Sequence, residues 1–207
     1  PAAEFPTVED IKSSQVIEVD RATLSTLIEK THFSMAQQDV RYYLNGMLLE
    51  TGGKHLRAVA TDGHRLALCE AEVNTAVDEQ QVIVPRKGIQ ELMRLLEDSE
   101  DPAKVLIGTN HIRVTTPAIR FTSKLIDGRF PDYERVIPKE SDASMLADRA
   151  QLADSLIRIR ILANEKYKGV RVEVKPGSVT VQAHNPEQEE AEEEIEVQYE
   201  GGEMENG

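Results

Sequence analysis

Only one cysteine, Cys69, occurs in 207 residues. That excludes a disulfide framework and a cysteine-based zinc site, and it suits a reducing compartment such as the cytoplasm. Long apolar runs are also missing. The longest extend over a few residues, against the roughly 20 that a membrane helix needs, so no membrane span is expected. A 40% apolar content is nevertheless enough for a core. No charged and apolar leader opens the chain, which starts at Pro1 and so reads as processed or as a fragment. Lys and Arg are absent after Lys175, whereas ten acids lie between Glu187 and Glu205. This one run dominates the net charge of −13. The rest of the chain holds 27 acids and 24 bases, so a polyanionic partner is not excluded.

The length allows one large domain or up to two average ones. Residues 1–14 (PAAEFPTVEDIKSS) lack any period and read as a linker or the tail of something upstream. A strand over 16–19 precedes a helix that Asp20 can cap, with Leu24, Leu27 and Ile28 on one face. Residues 44–50 and 56–73 read as strands, with Thr51-Gly52-Gly53 and Asp62-Gly63 as turns. Pro85, in a first-turn position, opens a second helix that buries Ile89, Leu92, Met93 and Leu96. Strands over 104–108, 111–115 and 118–125 follow.

The same order then restarts. Asp20-Arg21-Ala22-x-Leu24 recurs as Asp148-Arg149-Ala150-x-Leu152, and Gly46 with its two strands matches Gly169 with VRVEV and VTVQA around a KPGS turn. The expected class is α+β, built from repeated helix-plus-antiparallel-strand units, with the second unit cut short at Gly207.

The three helices with their following loops, at 20–41, 85–97 and 148–168, sum to a charge of +3, leaving −16 for the remainder. Two readings stand: a helical surface that faces a polyanion, or lysines and arginines that simply suit solvated helices. The helix at 148–163 carries more apolar residues than one core face needs. Leu152, Leu156 and Ile159 form one stripe, while Ile157, Ile161 and Leu162 point elsewhere, toward a subunit interface or under further chain.

Catalytic signals are thin. Asp62 and His64 lie two apart in Thr61-Asp62-Gly63-His64-Arg65, without a nearby Ser or Cys nucleophile. His32, His55, His111 and His184 have no ligand spacing, and no phosphate-cradling or HExxH motif occurs. The run EQEEAEEEIE at 187–196 lacks the glycine and alternating ligands of a calcium loop, and reads as a solvated or partner-seeking strand edge. Leu66, Pro131 and Val136, flanked by His64, Arg65 and Arg135, suit a shallow groove for an extended peptide.

The stretches FSMAQQDVRYYLNGMLLET, VATDGHRLA, VIVPRKGIQELMRLL, FTSKLIDGRFPDYERVIP, NEKYKGVR and HNPEQEEAEE closely resemble the bacterial DNA polymerase III beta subunit, the sliding clamp. The resemblance runs from about residue 15 to 207. It implies the tail of a first clamp domain at 1–14, a complete middle domain at 15–140 and the opening half of a third at 141–207, in the α+β fold of DNA clamps. It also implies a head-to-tail homodimeric ring around duplex DNA, with no catalytic step, cofactor or metal, in the bacterial cytoplasm at the nucleoid.

Carried across by motif, the resemblance assigns a peptide cleft to Leu44, Thr61, Gly63, His64, Arg65, Leu66, Pro131, Arg135, Val136 and Tyr167. Short linear motifs of the replicative polymerase, clamp loader and repair proteins are its expected ligands. DNA contacts are implied at Gln38, Arg41, Tyr42, Tyr43, Arg86 and Lys87, as phosphate attraction without base readout. Dimer contacts are implied at Ile161 and Leu162, and at Glu187, Glu189, Glu190, Glu192 and Glu193, which would meet basic residues of a partner's first domain. A small hydrolase using Asp62 and His64, or a generic peptide-binding module, are the alternatives.

Overall fold

A computed structural model describes residues 16–96, 101–139, 141, 143–164 and 169–206. The chain divides into two compact units, Pro1–Glu134 and Arg135–Gly207.

The first unit contains β1 (Val16–Asp20), α1 (Arg21–Glu29), β2 (Gly46–Thr61), β3 (Leu66–Pro85), α2 (Arg86–Leu95), β4 (Pro102–Ile107), β5 (His111–Thr115) and β6 (Arg120–Lys124). The order β1-β4-β5-β6 makes an antiparallel sheet, and β2 pairs with β3 in a long hairpin. Strand alternation turns Ile17 and Val19 inward, where they meet Val105, Ile107, Ile112 and Val114. The helices lay their predicted stripes on this core: Leu24, Leu27 and Ile28 from α1, Ile89 and Leu92 from α2. Met93 is half-buried against it.

Three local expectations are corrected. Thr51-Gly52-Gly53 is no turn; β2 runs straight through it, with register shifts on either side of Gly53. Gly53 takes φ +57° where the pairing slips, the extra residues lying on β3 between Gln80 and Val77 and between Val77 and Glu72, and Thr51 Oγ1 donates across the irregularity to the Asp78 carbonyl at 2.7 Å. The stretch 56–73 holds the end of β2, the expected Asp62-Gly63 turn and the start of β3. Asp20 stands at the N-cap of α1 but its side chain caps nothing; the Arg21 N–H donates instead to the Asp101 carbonyl at 3.2 Å. Pro85 stands at the N-cap of α2, pairing across the hairpin with Gly46.

The second unit contains β7 (Leu146–Ala147), α3 (Arg149–Ile159), β8 (Arg171–Lys175), β9 (Ser178–His184), β10 (Glu190–Gln198) and β11 (Met204–Asn206). Its sheet is antiparallel in the order β11-β8-β9-β10-β7. Asp148 caps α3, its Oδ1 accepting the Gln151 N–H at 2.8 Å. The buried face of α3 is Ser155 and Ile159 with partly buried Leu152. Leu156, expected on that face, is exposed. The spacing 152–155–159 places small Ser155 at the close approach and rotates Leu156 outward beside Ile157. Among the described residues, no helix is long and apolar enough to cross a membrane.

Candidate peptide-binding site

Several residues expected at a peptide site gather at the turn between β2 and β3. Asp62 organises it. Its Oδ1 accepts the backbone N–H groups of His64 and Arg65, both at 3.0 Å, and its Oδ2 accepts from Arg65 Nε at 3.1 Å. Thr61 Oγ1 donates to the Arg65 carbonyl at 2.8 Å and accepts the Gly63 N–H at 3.1 Å. Gly63 takes φ +89°, and a Cβ there would stand 3.0 Å from the Arg41 guanidinium. Burial raises the Asp62 carboxyl, but the two turn N–H groups and Arg65 outweigh it and hold it below its ordinary value. With its oxygens committed to the turn, Asp62 does not orient the His64 ring, and the hydrolytic reading loses its dyad.

Below the turn lies an apolar cluster of Ala36, Leu44, Leu48, Val59, Ile83, Phe130 and Tyr133, with half-buried Leu66 packed on it. Leu44 is 2% exposed, so it is floor and not rim. Pro131 is exposed between the buried Phe130 and Tyr133. Arg135 and Val136 belong to the second unit, where Val136 is 69% exposed. Tyr167 lies outside the described residues.

The expected DNA residues also come together, around the loop at 35–45. Asn45 closes this loop: its Oδ1 accepts the Asp39 N–H at 2.9 Å and its Nδ2 donates to the Asp39 carbonyl at 2.8 Å. Gln38 takes φ +57° in it. Arg41 grips the Asp39 carboxylate through Nε at 3.0 Å and Nη2 at 2.8 Å, holding that carboxyl down at about 2. Tyr42 and Tyr43 meet edge to face at 5.8 Å. The start of α2 is tied to the same loop, the Arg86 N–H donating to Asn45 at 2.9 Å and its Nη1 to Met35 at 3.0 Å. Lys87 beside it is exposed. Arg41 Nη2 also reaches the Asp62 carbonyl at 3.4 Å, so loop and turn are neighbours.

In the second unit Ile161 is 74% exposed and Leu162 half-buried. The acids divide by strand parity. Glu190 and Glu192 face outward on β10, whereas Glu193 points to the helix side and takes a bidentate grip from Arg158, both contacts 2.6 Å. Arg158 holds the Glu193 carboxyl below its ordinary value. Glu189 accepts from Asn185 Nδ2 at 2.6 Å within a turn, Gln182 donates to Glu192, and Glu187 is exposed.

Sequence reasoning missed the roles of four residues. The Asp62 role had a signal in Thr-Asp-Gly turn chemistry. Asp39 and Asn45 carried a weaker one, two side chains able to close a loop on themselves. Phe33 had none: its carbonyl accepts Arg65 Nη2 at 2.7 Å across 32 residues of sequence.

The family model for the DNA polymerase III beta subunit, central domain, matches residues 18–132, and that for its C-terminal domain matches 134–207. The beta sliding clamp of Pseudomonas aeruginosa is 53% identical over 208 residues, that of Pseudomonas putida 55% over 208, and that of Escherichia coli K12 52% over 207. Each comparison covers all of this chain and 57% of the relative, so the chain spans a little over half the length of these relatives. Among solved structures, the P. aeruginosa sliding clamp bound to griselimycin matches with a TM-score of 0.95 and 53% identity, over 99% of this chain and 56% of that one. The C. crescentus beta sliding clamp matches with a TM-score of 0.92 and 40% identity, over the same shares. With both domain models matched in chain order, the chain belongs to the DNA polymerase III beta subunit family, the beta sliding clamps.

Proposed function

We propose that this chain supplies the middle domain and part of the third domain of a DNA-polymerase processivity clamp. The domains are taken as 15–140 and 141–207, after a tail at 1–14. The whole protein acts as a non-catalytic homodimeric ring around duplex DNA in the bacterial cytoplasm. Its function is topological, because a ring linked to DNA slides along it without dissociating sideways. DNA is held through phosphates by Gln38, Arg41, Tyr42, Tyr43, Arg86 and Lys87, without base readout. Ile161, Leu162 and the acids at 187–193 serve the dimer contact. Glu193, gripped by Arg158, contributes less than its outward neighbours.

Replicative polymerase, clamp loader and repair proteins bind through short motifs rich in Leu and Phe. One observation carries this part of the reading. The locked turn 61–66 sets exposed His64 and Arg65 beside half-buried Leu66, directly over an apolar cluster. A rigid polar rim beside an apolar floor suits an extended peptide whose affinity comes from apolar burial. Arg135, Val136 and Tyr167 are assigned to the cleft by the family resemblance alone.

The test is an NMR titration of the chain with a Gln-x-Leu-x-Phe peptide. Shifts at Leu44 and at residues 64–66 support the peptide site. A folded chain whose spectrum does not move sinks it. Turnover abolished by His64→Ala would instead favour the hydrolase. Peptide binding without retention of the whole protein on circular DNA would favour a generic interaction module.

A further inference from the structure

Phe33 is 49% exposed and belongs to none of the residue sets above. It is nonetheless held firmly. It lies in the 3-10 turn His32–Ser34, between the fully buried Thr31 and Ser34. Thr31 Oγ1 donates to the Leu27 carbonyl at 2.6 Å, and the Ser34 N–H to the Thr31 carbonyl at 3.0 Å, anchoring the turn on the end of α1. His32 flanks the ring edge-on at 6.4 Å.

An aromatic ring left half in water on an anchored turn adds little to the core. Besides His32, its contact is Arg65. The guanidinium carbon stands 5.6 Å from the Phe33 ring centroid, within cation–π range, while Nη2 donates to the Phe33 carbonyl at 2.7 Å. Asp62 Oδ2 holds Nε from the other side at 3.1 Å. A side chain that is 59% exposed is thus fixed from two segments of the chain. Arginine carries five N–H donors, and two are engaged in these bonds. The others remain for a ligand oxygen, presented without the ordering cost of a free arginine.

We propose that Phe33 is a positioning residue of the peptide site, fixing Arg65 where it meets a carbonyl or carboxylate oxygen of a short apolar peptide. The proposal rests on the peptide-site reading above. It makes Phe33 part of the peptide-binding surface through its ring and not through its bulk.

The experiment is fluorescence anisotropy of a labelled Gln-Ala-Leu-Ala-Phe peptide against the 207-residue chain and its variants. Phe33→Leu, which keeps an apolar side chain without the ring, is expected to weaken binding about two- to fivefold. Phe33→Tyr, which keeps the ring, restores it. In an Arg65→Ala background Phe33→Leu brings no further loss, because the group it positions is gone. The Arg65 Nε–H resonance moves in Phe33→Leu and not in Phe33→Tyr, while the Gly63 and His64 amides stay in place. Wild-type affinity for Phe33→Leu, or losses that add in the double variant, overturn this inference alone. No binding by the wild-type chain overturns the peptide-site reading itself.

Discussion

Arg57 on β2 donates a 2.8 Å hydrogen bond to the Tyr133 hydroxyl, which in turn donates to Glu50 Oε2 at 2.7 Å. The tie crosses 76 residues of sequence and fastens the segment carrying Pro131 to the hairpin that carries Leu66. Arg57 continues to Glu70 at 2.6 Å, and Glu70 to His55 at 3.1 Å, so the polar chain runs across the hairpin.

Tyr133→Phe keeps the buried ring and removes the central hydroxyl. Arg57 retains Glu70, but Glu50 loses a short donor. The expected cost is about 1–2 kcal/mol in urea unfolding. An unchanged unfolding midpoint would mean that the hydroxyl chain does not hold the segment.

Leu66→Ala with Pro131→Ala should weaken peptide binding by about 1–3 kcal/mol and leave retention of the whole protein on circular DNA intact. Equal loss of both activities would refute the separation of the two sites. Leu44→Ala is the contrasting case. Leu44 is buried floor, so its truncation should cost about 2–5 kcal/mol of stability and is no clean probe of binding.

The grip of Arg41 on Asp39 carries a pH signature. The folded value of about 2 lies below the ordinary 3.8, so the folded state favours the ionised carboxylate. This contribution is fully present above 3.8 and is lost as pH falls through about 2. A carbon-detected NMR titration should place the Asp39 midpoint near 2, and Arg41→Ala should return it toward 3.8. A midpoint of 3.8 in the wild-type chain would show that the grip does not persist in solution.

Asp20 and Asp148 occupy matching places in the two units, yet only Asp148 caps its helix with its side chain. Asp148→Ala should cost the second unit about 1 kcal/mol, whereas Asp20→Ala should cost the first unit a few tenths at most. Thermal unfolding followed by residue-specific NMR separates the units. Equal effects would contradict the difference in capping.

Local periodicity made much of this protein legible. The stripes Leu24–Leu27–Ile28 and Ile89–Leu92 follow from a 3.6-residue repeat, and Asp62-Gly63 from turn chemistry, because both are settled within a few residues. Gly52-Gly53 misled because a glycine pair punctuates a turn and a bulge alike; the pairing of Glu50 with Gln81 and of Leu56 with Ala71 keeps the strand going. Leu156 misled because spacings of three and four draw two stripes on one helix, and only the sheet beneath selects between them.

The family and its candidate residues could be read from the chain, since long motifs need no partner to be recognised. The α+β class and the repeat were legible for the same reason. Tertiary structure decided the rest. It made Leu44 floor and left Leu66 half-buried, set Glu193 on Arg158 while Glu192 faces outward, committed Asp62 to its own turn, and brought Phe33 under Arg65. Each depends on which surface a neighbouring strand or turn covers, and on contacts between segments tens of residues apart. No local pattern encodes such contacts, because their energy exists only once the chain has closed on itself.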